Sequence, residues 1–268
     1  MDPCELSVVI PAYNEEAVIG STIETVARYL QTIRVSHEIL VVDDGSTDRT
    51  VEVVRAHAAQ ITTLRIMAGR HQGKGGAVQR GLRDARGTYL LFLDADLSTR
   101  IEEWEKFAPW LRNGYDVVIG SRKMPGAHVQ RRQPVVREAM GKVFTWLTNA
   151  ILDVQVTDVT CGFKSFRTDA ARTIGSLQRV RGWAFDAEWL FLARWLGYRI
   201  KEVPVVWTDD ASTKVRLVGD AARSFSELFA IRMAVWRGLY PPPACHHQDV
   251  GSITSNQSPV TKSVTGKW

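Results

Sequence analysis

Cysteine is scarce in this chain, and long apolar runs and targeting segments are missing. The three cysteines, Cys4, Cys161 and Cys245, are too few and too scattered for a disulfide framework or a zinc cluster, and they fit a reducing cytosol. The sequence contains no signal peptide and no apolar run of about 18 residues. We therefore expect a cytoplasmic protein with no transmembrane helix.

The chain also contains no internal repeat, no interdomain linker and no nucleic-acid-binding motif. Its 268 residues, of which 45% are hydrophobic, suit one substantial core. The net charge of +5 favours an anionic partner, which we expect to be a phosphorylated substrate or anionic lipid rather than nucleic acid. We predict one catalytic domain over residues 1–240 and a disordered polar tail over residues 241–268.

Short apolar runs alternate with helical patterns along the first hundred residues. Residues 6–11, 39–42 and 90–93 are typical of buried strands, and residues 17–30 have helical spacing. Strand, polar loop, helix and strand repeated at short intervals predict an α/β fold, with a mostly parallel central sheet flanked by helices. In such a sheet, ligands bind at the carboxyl ends of the strands.

The apolar run at 90–93 ends in Asp94-Ala95-Asp96, which places two carboxylates at one end of a buried strand. Two like charges held this close repel each other unless a cation binds there. Carboxylate oxygens suit Mg²⁺ or Mn²⁺, which bind one or two carboxylates together with substrate phosphates. Asp94 and Asp96 are therefore the predicted metal ligands. An ordinary strand end is the alternative, and the neighbouring motifs favour the metal site.

Five motifs in order give the chain its resemblance to a family 2 glycosyltransferase of the Rossmann-like GT-A fold. They are VIPAYNEE at 9–16, VDDGSTD at 42–48, LDAD at 93–96, DVTCGFK at 158–164 and GWAFDAE at 182–188. The last two resemble the dolichyl-phosphate glucosyltransferase branch, which is close to the dolichyl-phosphate mannose synthases. The resemblance covers roughly residues 5–237. It implies a nucleotide-sugar donor, a polyprenyl-phosphate acceptor and Mg²⁺ or Mn²⁺ as cofactor.

The resemblance also implies roles for individual residues at the donor. Lys74 lies in Gly73-Lys74-Gly75-Gly76, a turn that lets the backbone approach a ligand and places a cation beside it. This spacing is not that of a P-loop, and an ordinary glycine-rich turn is the alternative. Lys214 resembles a lysine that reaches the diphosphate from a flexible loop. The residues assigned to the nucleotide sugar are Pro11, Tyr13, Glu15, Asp43, Asp44, Lys74, Asp94 and Lys214.

The acceptor that the resemblance implies is a phosphate monoester, which is already anionic near neutral pH and needs positioning rather than a general base. Arginine suits this task because its guanidinium binds phosphate oxygens with two parallel bonds. By resemblance, Arg122 and Arg137 hold the lipid phosphate. Asp186 is placed near the sugar, at the start of a helix. Three roles stay open for it: a helix cap, a ligand of sugar hydroxyls and a base. The predicted catalytic residues are Asp94, Asp96, Arg122, Arg137 and Asp186.

Two amphipathic helices are predicted near residues 135–152 and 217–239, the second at the C-terminal end of the domain. Their apolar side chains suit packing in a core, whereas Trp and Arg together near the end of the second helix favour a helix that lies flat on a membrane. With the family resemblance, this predicts a peripheral protein on the inner, cytoplasmic face of a membrane.

Together these patterns predict an inverting glycosyltransferase that moves a hexose, glucose from UDP-glucose, to a polyprenyl or dolichyl phosphate. The alternatives are a GDP-mannose-dependent mannosyltransferase, a family 2 transferase with a non-lipid acceptor, and a catalytically silent nucleotide-sugar-binding scaffold. The scaffold is disfavoured because Asp94, Asp96, Arg122 and Lys74 are all present. The base and the sugar stay open, since specificity rests on contacts that spacing does not resolve.

Overall fold

The computed structural model describes residues 4–131, 133–209 and 217–243. The strands are β1 Leu6–Ala12, β2 His37–Asp43, β3 Leu64–Ala68, β4 Tyr89–Leu93, β5 Val117–Ser121, β6 His128–Arg131, β7 Phe163–Arg167, β8 Ile200–Pro204 and β9 Val206–Thr208. The helices are α1 Ile19–Thr32, α2 Thr50–Ala58, α3 Lys74–Asp84, α4 Trp104–Arg112, α5 Val135–Leu152, α6 Thr168–Leu177, α7 Phe185–Trp195 and α8 Leu217–Trp236, with a short 3-10 turn Ile101–Glu103 before α4. From β1 to β5, strands and helices alternate as the sequence pattern of the first hundred residues predicts.

Seven strands form one sheet in the order β3-β2-β1-β4-β7-β5-β8, and β6 pairs with β9 in a second, two-stranded sheet. Strands β1 to β4 run parallel, β7 lies antiparallel between β4 and β5, and β8 is parallel to β5. This confirms the predicted α/β fold with a mostly parallel central sheet. The carboxyl ends of β1, β2, β4 and β5 meet at one edge, which brings the polar residues after these strands together.

Apolar side chains cover both faces of the sheet, as continuous apolar strands predict. On one face, Val9 of β1 belongs to an apolar cluster that also contains residues of α3, α5, α6, α7 and α8. Val8 and Ile10 pack on the other face with residues of α1, α2 and α4. Because every residue of β1 is buried, the loops at its end project from a rigid base.

The two predicted amphipathic helices pack against each other, and the rings of Phe144 in α5 and Phe225 in α8 lie 5.8 Å apart between centroids. Helix α5 has the predicted bounds. Helix α8 ends at Trp236 rather than near residue 239, because Gly238 takes a left-handed conformation (φ 64°). In this conformation the N–H groups of Gly238 and Leu239 donate to the Val235 and Ala234 carbonyls, both at 3.0 Å. Within the described ranges, no helix combines the length and the apolar character that crossing a bilayer requires.

Only residues 241–243 of the predicted polar tail are described, and residues 244–268 lie outside the described part of the chain. The Pro241 carbonyl accepts a hydrogen bond from Trp195 Nε1 at 2.7 Å. Just before it, the Tyr240 hydroxyl donates to Glu188 at 2.6 Å. The segment after α8 is therefore attached to α7, and disorder of the rest of the tail stays a prediction.

Candidate active site

Asp94 follows β4 directly and lies at the carboxyl edge of the sheet. Its Oδ1 accepts a hydrogen bond from Lys74 Nζ at 2.7 Å, and its N–H donates to the Gly162 carbonyl at 3.3 Å. A side chain at position 162 would overlap the Asp94 carboxylate, so any larger residue there would displace that carboxylate. The structure thus places the first carboxylate between the start of α3 and the turn that leads into β7.

Asp96 lies two residues further on, and its Oδ1 accepts the N–H of Ser98 at 2.8 Å. Desolvation of the carboxyl and repulsion by Asp94 raise the pKa of Asp96 above its ordinary value. A cation bound by both carboxylates would relieve this repulsion. In the described part of the chain, no three His, Cys, Asp or Glu side chains are grouped so that they could hold a metal. The two carboxylates would therefore share a metal with substrate phosphate and water.

Lys74 is the first residue of α3 and follows Gly73, whose φ of 91° favours glycine. Its ammonium lies 5.4 Å from the ring centroid of Trp183 and 5.7 Å from that of Phe92. Burial lowers the pKa of Lys74, but attraction to Asp94 outweighs this and leaves the pKa above its ordinary value. Lys74 is therefore a cation at neutral pH, directly beside the carboxylates, which suits it to a diphosphate.

Asp43 and Asp44 are buried at the end of β2, where each carboxylate accepts backbone N–H groups. Asp43 accepts from the residues two and three positions further on, at 3.0 and 3.2 Å. Asp44 accepts from Gln72 and Gly73, both at 2.9 Å. Asp44 thereby holds the turn that precedes Lys74. Both carboxylates shape the predicted nucleoside region through the backbone, and direct contact with a nucleoside stays a prediction.

Tyr13 and His71 form an exposed aromatic pair beside Asp44. Their ring centroids are 4.4 Å apart with an angle of 31° between the planes, and His71 Nδ1 lies 2.8 Å from an Asp44 carboxylate oxygen. Aromatic faces next to a buried carboxylate suit a nucleobase. Pro11 lies buried within β1, and the Glu15 N–H donates to the first residue of α2 at 2.8 Å. These two residues therefore shape the loop that carries Tyr13.

Arg122 follows β5, and its guanidinium is paired with Asp158. Nε and Nη2 donate to the two Asp158 oxygens at 2.7 and 2.8 Å, and Nη2 also donates to Thr160 at 2.9 Å. Burial raises the pKa of Asp158, but attraction to Arg122 outweighs it and holds the pKa at about 2. Asp158 thus occupies the edge of the Arg122 guanidinium that is predicted to bind a lipid phosphate through two hydrogen bonds. Arg122 holds the turn that carries Gly162, and its contact with a phosphate stays a prediction.

Arg137, in the first turn of α5, lies 3.8 Å from the Asp209 carboxylate. Asp209 follows β9, whose last N–H donates to the Ser98 carbonyl at 2.8 Å. Strand β9 therefore connects Arg137 to the turn that carries the carboxylate pair. Because its ion pair is long, Arg137 is held less tightly than Arg122, and its contact with a phosphate stays a prediction.

Asp186, in the first turn of α7, accepts a hydrogen bond from Lys164 Nζ at 2.7 Å. Lys164 is fully buried in β7 and also donates to the Cys161 carbonyl at 2.6 Å. Burial raises the pKa of Asp186, and attraction by Lys164 opposes this only in part. Asp186 also interacts electrostatically with Lys74 and Asp94. It is therefore part of the same charged cluster, and no side-chain cap bond is made at the start of α7.

Asp158, Lys164 and His71 are not among the site residues that the sequence predicts. Lys164 carries a weak local signal, because a lysine that is buried in a strand between Phe163 and Phe166 needs a buried partner. Asp158 carries none, since its partner Arg122 is 36 positions away in the chain. Lys214, the predicted diphosphate ligand, lies outside the described residues.

The carboxylate pair, the adjacent lysine and the mostly parallel sheet are the parts that a nucleotide-sugar-dependent transferase needs. Residues 7–175 match glycosyl transferase family 2, and the chain belongs to this family. The protein is therefore a glycosyltransferase, which confirms the enzyme class that the motifs predict.

Relatives and solved structures agree with this assignment. The chain is 35% identical over 233 residues to the dolichyl-phosphate beta-glucosyltransferase of Drosophila melanogaster. The alignment covers 79% of this chain and 69% of the relative. Its human counterpart is 30% identical over 256 residues, covering 88% and 77%. The glucosyl-3-phosphoglycerate synthase of Mycobacterium tuberculosis, solved with Mn²⁺, UDP and glucosyl-3-phosphoglycerate, has a TM-score of 0.62 at 22% identity, covering 86% of this chain and 80% of that chain. This likeness supports the fold.

Proposed function

We propose that the protein transfers glucose from UDP-glucose to a polyprenyl phosphate of the dolichyl type, with inversion at the anomeric carbon. The observation that carries the proposal is the 35% identity to a dolichyl-phosphate beta-glucosyltransferase, because it extends over 79% of this chain. The products are a polyprenyl phosphate with a β-linked glucose and UDP.

The donor side of the proposal rests on Lys74, Asp94 and Asp96. Two carboxylates at one strand end, with a pKa of Asp96 raised in part by their repulsion, are an oxygen donor set that fits Mg²⁺ or Mn²⁺. When bound, the cation would neutralise the charge that develops on the departing diphosphate. Lys74, whose ammonium already lies 2.7 Å from Asp94, supplies a further positive charge to the same group.

On the acceptor side, the phosphate is its own nucleophile. One of its oxygens bonds to the anomeric carbon of glucose while the bond from that carbon to the UDP oxygen breaks, and the electron pair leaves with UDP. Attack opposite the leaving group turns the α-linked donor into a β-linked product. Arg137 holds the attacking phosphate. The anionic phosphate carries no proton that a base must remove, so Asp186 is not needed as a base. Fixed by Lys164, it accepts hydrogen bonds from sugar hydroxyls instead.

A membrane surface is the place where a polyprenyl acceptor is found, and α5 and α8 expose an apolar face that suits it. Trp146 is 67% exposed and Trp236 is 69% exposed, and the Arg232 guanidinium lies 5.8 Å from the Trp236 ring centroid. Apolar side chains beside a basic one fit the headgroup region of an anionic bilayer. We propose that this α5–α8 face docks the protein peripherally, with the cytoplasmic face as the predicted side. The exposed residues of the α5–α8 face are Val143, Trp146, Phe229, Met233 and Trp236.

A matrix of donors and acceptors tests the proposal. UDP-glucose and GDP-mannose are each offered with a polyprenyl phosphate and with the matching free polyprenol, in Mg²⁺, Mn²⁺ or EDTA. We expect turnover only with UDP-glucose, the phosphate and a metal. Turnover with GDP-mannose and not with UDP-glucose would identify GDP-mannose as the donor. Equal use of the free alcohol would overturn the phosphate nucleophile and make Asp186 the base to test.

A further inference from the structure

The loop formed by residues 181–184 lies against the glycine-rich turn that carries Lys74. The Gly76 N–H donates to the Arg181 carbonyl at 3.3 Å. A Cβ at Gly73 would lie 2.6 Å from that same carbonyl oxygen, and a Cβ at Gly75 would lie 2.9 Å from the Gly182 carbonyl oxygen. Contacts this close leave the loop and the turn little freedom to move independently.

The other side of the 181–184 loop is held by one side chain of α8. Glu227 accepts the Ala184 N–H at 3.0 Å, and its side chain is only 15% exposed. A side chain at Gly182 would overlap the Glu227 carboxylate, so the helix and the loop are in close contact here. Arg223, one turn earlier in α8, lies 3.4 Å from Glu227 but is 71% exposed.

The loop carries a residue that touches the donor side of the site. Trp183 presents its ring to the Lys74 ammonium, 5.4 Å from the ring centroid, and Lys74 pairs with Asp94. A continuous set of contacts therefore runs from Glu227 through the 181–184 loop to Lys74. Helix α8 is also one of the two helices of the exposed α5–α8 face.

We propose that Glu227 is a positioning residue for the donor site, which acts through the 181–184 loop on Lys74 and links docking of α8 to donor affinity. The inference rests on the proposed function, because it takes the donor to be a UDP-sugar and the α5–α8 face to dock on lipid. When α8 is held on a surface, Glu227 is held with it, and the loop keeps Trp183 beside Lys74. Without the Glu227 carboxylate, the Ala184 N–H loses its acceptor and the loop is released.

Calorimetric titration with UDP in the presence of Mn²⁺ tests the positioning role without sugar or acceptor. Glu227→Ala should weaken UDP binding about 3- to 10-fold, the range that one hydrogen bond carries. Glu227→Gln should bind UDP like the wild type, because its amide oxygen still accepts from Ala184. Arg223→Ala is the matched control, since it removes the ion pair and leaves that hydrogen bond intact. If Glu227→Ala bound UDP as tightly as the wild type, the proposal would be overturned.

A kinetic readout separates positioning from a general loss of structure. With saturating polyprenyl phosphate, Glu227→Ala should raise the KM for UDP-glucose and change kcat little, whereas partial unfolding would lower kcat and leave KM unchanged. If Glu227→Ala does not fold, Glu227→Asp keeps the charge and shortens the reach by one methylene. Glu227→Asp should then lose UDP affinity to a smaller extent. If Glu227→Asp lost no UDP affinity, the result would count against the proposal.

Vesicles of a neutral and an anionic phospholipid test the link to docking. Wild-type protein bound to these vesicles should bind UDP about 3-fold or more tightly than free protein, and Glu227→Ala should lose this gain while still sedimenting with the vesicles. Equal UDP affinity of free and vesicle-bound wild type would refute the link. If the wild type bound no UDP in either state, the proposed function would fail, a result distinct from failure of the inference.

Discussion

Replacement of Asp158 by Asn should reveal the contribution of the buried ion pair with Arg122. Asp158 has no exposed surface, and Arg122 donates to both of its oxygens. The Asn side chain keeps the shape and one acceptor, but it removes the negative charge. Arg122 is then left as a buried cation without its counter-charge, which is the costly way to break a buried pair.

The magnitude follows from the pKa of Asp158, which is about 2 in the folded protein and 3.8 in its ordinary state. A difference of about 1.8 units corresponds to about 2 kcal/mol. Breaking a buried pair by removal of one partner costs about 3–5 kcal/mol. We therefore expect Asp158→Asn to lower the free energy of unfolding at pH 7 by about 2–5 kcal/mol.

The sign of the pH dependence is fixed by the direction of the shift. Because the pKa is lowered in the folded state, the stabilisation is fully present above about pH 4 and is lost as the pH falls towards about 2. Protonated Asp158 resembles Asn, so the difference between wild type and variant should shrink over that interval. The difference should be constant between pH 5 and pH 8.

Urea unfolding followed by circular dichroism, repeated at intervals from about pH 2 to about pH 8, measures the effect. Asp169→Asn is the matched control, because Asp169 pairs with Arg167 at 2.9 Å but its side chain is 68% exposed. An exposed pair of this kind contributes less than about 1 kcal/mol. If Asp158→Asn and Asp169→Asn destabilised the protein equally, or if the Asp158→Asn effect did not shrink as the pH fell from about 4 towards about 2, the buried pair would not contribute as reasoned.

Three further predictions concern the metal, the acceptor and the membrane. Asp96→Asn removes one charged ligand, so turnover should fall about 100-fold or more, and equal turnover of the wild type in EDTA and in Mn²⁺ would contradict the metal assignment. Arg137→Lys keeps the charge but loses the two-bond geometry. The KM for polyprenyl phosphate should then rise about 10- to 150-fold, and a comparable rise in the KM for UDP-glucose would argue against an acceptor role. Trp146→Ser combined with Trp236→Ser should weaken sedimentation with anionic liposomes at least about 10-fold, with salt releasing part of the wild type. If the double variant sedimented with liposomes as the wild type does, the α5–α8 face would be excluded as the docking surface.

Residues close in sequence account for the part of the site that can be predicted. Asp94 and Asp96 follow a continuous apolar run, and such a run predicts a buried strand whose end lies at the ligand-binding edge. The glycines around Lys74 predict a turn that lets the backbone approach a ligand, and this stays a prediction. The structure shows instead that the 181–184 loop, from a distant part of the chain, packs on these glycines. For the carboxylate pair, the signal and the consequence lie within a few residues.

Pairing across long separations accounts for what the sequence could not show. The sequence predicts that the guanidinium of Arg122 binds a phosphate through two nitrogens, but the fold brings Asp158 to Nε and Nη2. Asp186 could have been a cap, a ligand or a base, and Lys164 from β7 holds it within the charged cluster. The contact between Glu227 and Ala184 joins positions 43 apart, which no periodic pattern relates.

The sequence by itself determined the fold class, the family and the position of the carboxylate pair, because apolar periodicity and short motifs encode local structure and the strand ends of a parallel sheet coincide. The tertiary structure decided which charges face one another. A buried charge must find a partner whose position depends on how the strands are ordered in the sheet, and here β7 lies between β4 and β5 although it follows both in the chain. That order brings Lys164 to Asp186 and Gly162 to Asp94, and it thereby sets the electrostatics of the site.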